Sequence, residues 1–348
     1  MSYIETLIDD VNSTHPNLGE LIAVLQISVK ARKFVLVVSP SGCGKSRAME
    51  YIGKNITNSW SPTSISISSL ANKVDKLYSF RSVICIDDIS TIQTMYSRIT
   101  TITTLSALCY SHRVEPSMVG FDFCIEDFYG SAIVGIQPII LRDLMLASEW
   151  DASIQDKALR YYHLYRPLAP NLNLPSAKII KGIDIDTVKD FKPDVDSIHW
   201  QKLIALGDNQ WSRARTKEHM IDMLKAISAL ESRQEIRQSD YILLARLLKP
   251  MAIENVVVVK EQLEGERYLD NNLLALLAEY YTYGKEFSLA QIALDYKLSL
   301  SQCYRIMAGQ NGSWQQISKS PSIYTPSKKL VTLLKFLELE LNNDNKTR

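Results

Sequence analysis

Phe34-Val35-Leu36-Val37-Val38-Ser39-Pro40-Ser41-Gly42-Cys43-Gly44-Lys45-Ser46 is the stretch on which the reading of this chain turns. Its first five residues form an apolar run without polar alternation, as in a strand covered on both faces within a parallel sheet. The glycines that follow tolerate left-handed backbone, and residues 47–52 read as a helix. A strand, a glycine turn and a helix N-terminus in that order aim consecutive N–H groups into one concavity that holds phosphates. Lys45 adds a point charge, and Ser46 a hydroxyl suited to a magnesium ion that bridges two phosphates. The spacing follows GxxxxGK[ST] except at Ser39, which stands where the first glycine is expected and closes the strand. Ser41, Gly42, Cys43, Gly44, Lys45 and Ser46 are therefore expected to bind a nucleoside triphosphate, ATP, with Mg2+.

Working outward, a second buried run, Val83-Ile84-Cys85-Ile86, ends in Asp87 and Asp88. Asp87, at the strand tip, suits a magnesium ion held through water. Asp88 is the nearest group able to orient or deprotonate a water opposite the terminal phosphate, and the N-cap of a helix starting near Ser90 is the lesser alternative for it. Ala132-Ile133-Val134-Gly135 makes a third run and residues 159–164 a fourth, with helical patterns between them, such as 92–109. The alternation predicts an α/β domain with a parallel sheet over residues 1–165.

The 348 residues exceed what one core usually holds. With 46% hydrophobic and 22% charged residues the chain reads as globular, and its formal charge of +1 gives no global attraction to nucleic acid. Any DNA-binding face must be local. The five cysteines include no CxxC pair, which argues against a disulfide framework or a zinc site and fits a reducing cytoplasm. Neither a leader pattern nor an apolar run of the roughly 18 residues needed to cross a bilayer occurs, so a cytoplasmic protein is expected.

Residues 166–196 carry Pro167, Pro170, Pro175 and Pro193 and read as a connector into a helical region ending near 250. There Met220, Met223, Leu224, Ile227 and Leu230 recur at helical spacing, and Ser239-Asp240 precedes Leu243, Leu244 and Leu247. A third region, 261–326, holds a helix over 273–277 and then two more behind Ser288 and Ser299, with a tight turn at Tyr296-Lys297-Leu298. That spacing predicts a helix-turn-helix, with 314–326 as a wing and 327–348 as a terminal helix and polar tail. Ser301, Gln302, Tyr304 and Arg305 would face DNA, with Lys319, Lys328 and Lys329 near the backbone. Packing or protein contact is the other use of such a domain, since its charges nearly balance. Tyr280, Tyr281 and Tyr283 read as packing at a helix end.

From about Leu18 to Pro250 the chain resembles the AAA+ ATPases, on the phosphate loop, the acidic strand and the polar residue after the third strand. That resemblance implies that Gln137 senses the γ-phosphate, although it also suits a simple turn. It places Asp88 where a Glu is usual. Arg142 resembles the finger that reaches a neighbouring subunit's nucleotide, and an Arg142–Asp143 surface pair is the other reading; Arg98 and Arg113 are weaker alternatives. The helical region resembles the lid of replicative and MoxR-like members, which makes Arg215 the second sensor and Arg213 its reserve. The resemblance implies a homo-oligomer, ring or filament, that couples ATP hydrolysis to DNA remodelling or translocation. A nucleotide-gated switch with slow turnover is the alternative, favoured by the shorter Asp88. A small-molecule kinase is disfavoured, as no acceptor-binding signature is evident.

Overall fold

The computed structural model describes residues 2–15, 17–115, 122–164, 174, 182, 184–254, 276–277, 286–296, 298–310, 312–328 and 330. The chain divides into two compact units, Met1–His163 with Pro167–Met251, and Leu164–Arg166 with Ala252–Arg348.

In the first unit, α1 (Tyr3–Asn12) and α2 (Leu18–Lys30) lead into β1 (Phe34–Val38), the phosphate loop and α3 (Lys45–Asn55). Two short helices, α4 (Ile67–Ala71) and α5 (Val74–Leu77), precede β2 (Val83–Ile86). Then follow α6 (Met95–Ser111), β3 (Ser131–Ile136), α7 (Pro138–Met145) and β4 (Ala158–Tyr162). The strands form one parallel sheet in the order β2-β3-β1-β4. Every residue of the strands is buried, which is why β1 and β2 read in sequence as continuous apolar runs, while β3 opens on Ser131 and β4 carries Arg160 at its centre. The α/β class and the parallel sheet expected from that pattern are what the chain adopts.

Both edges of the sheet carry single-residue partners. Trp60 pairs with β2, its N–H donating to the Val83 carbonyl at 2.9 Å and its carbonyl accepting from the Cys85 N–H at 2.8 Å. On the β4 side, the Gln210 side-chain amide accepts from the Arg160 N–H at 2.9 Å and donates to the Arg160 carbonyl at 2.6 Å. The Arg160 guanidinium is buried and donates to the carbonyls of Gln155, Ala158 and Gln210, with the Trp150 ring 5.4 Å away. Fixed carbonyl dipoles and a π face thus compensate a cation that burial alone would disfavour.

The helices α8 (Ile198–Gly207), α9 (Arg213–Leu230) and α10 (Gln238–Leu248) pack on one another, and α9 and α10 also pack on α2. Glu231, just past α9, accepts from the N–H groups of Tyr3 and Ile4 at 3.0 and 3.1 Å, an anion placed on the positive end of α1. Lys33 pairs with Asp222 of α9.

In the second unit, β5 (Phe287–Ser288), α11 (Leu289–Tyr296), α12 (Leu300–Ala308), β6 (Trp314–Lys319) and β7 (Ser322–Pro326) include a three-stranded antiparallel sheet in the order β5-β7-β6. Ser288 caps α11 by accepting from the Gln291 N–H at 3.1 Å, and Ser299 and Gln302 form a capping box on α12. Leu298 N–H donates to Ala293 at 2.9 Å across the turn. The rings of Phe287, Trp314 and Tyr324 cluster beneath, with Phe287 5.1 Å from Trp314 and 6.4 Å from Tyr324. The expected helix over 273–277 is described only at Leu276 and Leu277. The tyrosines at 280, 281 and 283, Lys297, Lys329, most of the connector from 166 to 183, and residues 331–348 lie outside the described residues. Among the described residues no helix is long and apolar enough to cross a membrane.

Candidate functional site

The site is built at the carboxyl ends of β1, β3 and β2, which lie side by side. Because β3 runs between the strand of the phosphate loop and the acidic strand, its tip is set between Lys45 and Asp88. Ser39 is buried and its N–H donates to the Ile136 carbonyl at 3.0 Å, so it closes the strand, as expected for a position that does without glycine. Gly42 and Gly44 then adopt φ of 84° and 82°, the left-handed region that a side chain disfavours. These two residues turn the chain into the first turn of α3, where Lys45 is buried and Ser46 exposed.

Lys45 Nζ donates to Asp88 Oδ2 at 3.3 Å, and Gln137 Nε2 donates to the same oxygen at 3.2 Å and to Ser90 Oγ at 3.4 Å. The other oxygen of Asp88 accepts from the Ser90 N–H at 2.9 Å, capping the short 3-10 turn Ile89–Thr91. Asp88 therefore serves as the cap and faces Lys45 at once. Burial on its own would raise the Asp88 carboxyl, but the Ser90 N–H and hydroxyl, Lys45 and Gln137 outweigh it and hold the group below the ordinary carboxylate range. A carboxylate so held stays ionised and is better suited to orienting a water than to removing its proton.

Asp87 is exposed at the tip of β2. It approaches the loop across Gly135, where a Cβ would lie 1.9 Å from the Asp87 carbonyl oxygen and 3.0 Å from Lys45 Cδ. Only glycine fits there. Gly135→Ala is expected to push the β2 tip away, costing about 1–3 kcal/mol of stability by overpacking and weakening nucleotide affinity. Denaturant unfolding with and without nucleotide checks this; an alanine variant as stable as the parent would contradict the close approach. Ser46 Oγ and the Asp87 carboxylate are hard oxygens of the kind Mg2+ takes and would be the residues to hold one here. Among the described residues no cluster of three or more His, Cys, Asp or Glu forms a separate metal site.

The arginines take separate places, and one of them departs from the expectation. Arg142 lies on α7, the helix that begins directly after Gln137, and pairs with Asp143 at 3.0 Å. Arg98 donates to the carbonyls of Ile92 and Ser90 at 2.8 and 3.2 Å and so braces the turn behind Asp88. Arg113 pairs with Glu115 at 2.7 Å. Arg215 is a correction: it pairs with Glu218 at 2.7 Å and lies 5.9 Å from the Tyr110 ring, which Lys33 also approaches. Lys33 precedes β1, whereas the phosphate loop follows it, so Arg215 sits at the other end of the sheet, about 17 Å of strand away. Asp156, before β4, causes this by accepting from the Ser212 N–H at 2.6 Å and hydroxyl at 2.7 Å, while the Trp211 indole donates to Ala158 at 3.1 Å. Arg213, at 3.6 Å from Asp208, stands on the same helix head.

In the second unit Ser301, Gln302, Tyr304 and Arg305 all lie on the exposed side of α12, whose inner side is Cys303 with Met307. Two of the four are engaged within the unit. Gln302 Oε1 accepts from the Ser299 N–H at 2.8 Å and hydroxyl at 3.0 Å, and the Tyr304 hydroxyl bonds with Ser322 Oγ at 2.7 Å. Gln302 is thus a cap whose carbonyl oxygen is taken, a reading that the Ser-x-x-Gln spacing itself carries. Ser301 and Arg305 point outward on the same face.

A parallel sheet whose first strand feeds a glycine loop and a lysine-bearing helix, with an acidic strand ending beside that lysine, defines a P-loop NTPase-like core. The chain matches the family model for RNA helicases over residues 35–125, a stretch that takes in β1, the phosphate loop, β2 and α6. No curated protein matches the chain. The match supports a helicase-like function driven by a nucleoside triphosphate.

Proposed function

We propose that the chain is an AAA+ type ATPase that remodels or translocates along nucleic acid as a homo-oligomer. The observation that carries this reading is the convergence of Lys45 and Gln137 on one oxygen of Asp88, at the tips of three adjacent strands. In this reading the triphosphate draws Lys45 from Asp88 to its own oxygens. Asp88 is then left to Gln137 and Ser90 and faces the attacking water. Ser46, and Asp87 through water, would hold a magnesium ion, which would supply positive charge to offset that of the phosphates. Arg142, on the helix launched from Gln137, is the group offered to a neighbouring copy. The second unit, read as a winged helix-turn-helix, presents Ser301 and Arg305 to nucleic acid. The helicase match favours RNA as the nucleic acid, whereas the reading of the second unit favours DNA.

A slow nucleotide-gated switch is the second reading, favoured by the low basicity of Asp88. Steady-state ATP hydrolysis with and without single-stranded RNA or DNA, paired with mass measurement in ATP, tests both. Severalfold stimulation by a nucleic acid and an assembly larger than a monomer are the expected results. Tight ATP binding with negligible turnover in every mixture would favour the switch.

A further inference from the structure

We propose that His163 is a positioning residue of the phosphate loop, which holds the Cys43–Gly44 peptide so that the Gly44 N–H faces the phosphates. The inference rests on the nucleotide reading of the loop. His163 follows β4, and its N–H donates to the Val38 carbonyl at 2.9 Å, which carries the ladder between β1 and β4 past the last strand residue. That pairing sets the imidazole beside the loop, where Nε2 lies 2.8 Å from the Cys43 carbonyl oxygen. A carbonyl only accepts, so Nε2 is the donor and carries the ring proton. The ring is 2% exposed, and burial pushes its pKa down to about 4, so it is neutral at physiological pH.

The geometric consequence follows from the planarity of the peptide. In a trans peptide the C=O of one residue and the N–H of the next point in opposite directions. With the Cys43 carbonyl turned to His163, the Gly44 N–H points away from that ring, to the side where the reading of the loop puts the phosphates. Gly44 tolerates either sign of φ, so sterics alone do not bar the flipped peptide. A flip would present a carbonyl oxygen to the phosphates in place of an N–H. The bond from His163 selects between the two orientations, and Cys43 contributes its backbone, its side chain being buried.

The test compares His163→Phe, which keeps a ring but loses the donor, with His163→Gln, whose amide can donate to the same carbonyl. Titration with a fluorescent ATP analogue and Mg2+ reads affinity in the full chain, and thermal unfolding reads the fold. The expected result is a Kd raised about tenfold in His163→Phe, the worth of one hydrogen bond, and largely restored in His163→Gln. A His163→Phe variant that binds like the parent, or an equal loss in both variants, would overturn the proposal. If the phenylalanine variant does not fold, the ring 15N–1H spectrum of the parent decides: a neutral His163 protonated on Nε2 supports the assignment, and one protonated on Nδ1 sinks it. Lys45→Ala run alongside separates the two failures. Its loss of binding with normal His163→Phe refutes His163 alone, whereas a parent chain that binds no triphosphate refutes the reading beneath it.

Discussion

Replacing Lys45 by alanine is expected to abolish nucleotide binding, lowering affinity on the order of a hundredfold or more. Two effects act in the same direction. The variant loses the ammonium that would meet the phosphates, a charge-assisted contact of the stronger kind. It also leaves Asp88 without the cation 3.3 Å away, so a carboxylate held ionised now faces the phosphate charge uncompensated. Lys45 is buried, and its removal leaves space at the floor of the loop; unfolding measurements on the same variant show whether the fold survives the change. Calorimetric titration with ATP and Mg2+ measures the effect. Affinity equal to that of the parent would mean that this loop is not the phosphate site.

Asp88→Asn is the second large effect, with turnover reduced about 10²–10⁴-fold while ATP binding persists. Asparagine caps a turn as well as aspartate does, so the bond from the Ser90 N–H and the 3-10 turn should both be kept. What changes is the charge beside Lys45 and the ability to accept from both Lys45 and a water. The substitution therefore separates the two uses of Asp88 that the geometry combines. Phosphate release under saturating ATP is the measurement, and unchanged turnover would leave Asp88 as a cap alone.

The parts of this arrangement that were legible in sequence are those with local signatures. The bounds of β1 and β2 can be read to the residue, because strands covered on both faces leave unbroken apolar runs. The phosphate loop is legible because glycines, lysine and serine must stand at fixed spacing to make it. The insertion of β3 between β1 and β2 leaves no local trace, since parallel neighbours are joined by long crossovers. The lid resemblance implies that Arg215 reaches the phosphates, but the head of α9 is captured by Asp156 through contacts 56 residues apart in the chain, which leave no local signal. His163 is silent for the same reason: a histidine after an apolar strand gives no sign that it will meet a carbonyl 120 residues earlier. Gln302 is the opposite case, a cap whose signal was present and competes with a base-reading role for the same residue type.

The single-residue partners at the two margins of the sheet bear on how copies of this chain can associate. An unpaired margin of a parallel sheet offers backbone donors and acceptors to any extended segment and so invites runaway stacking of chains into fibrous aggregates. At Arg160 the Gln210 amide already satisfies both peptide groups, imitating the backbone of a missing neighbour, and at Val83 and Cys85 the Trp60 peptide does the same. At these points the margins are closed to strand addition, so copies of this chain, if they assemble as proposed, would meet through side-chain surfaces and not through continuous sheets.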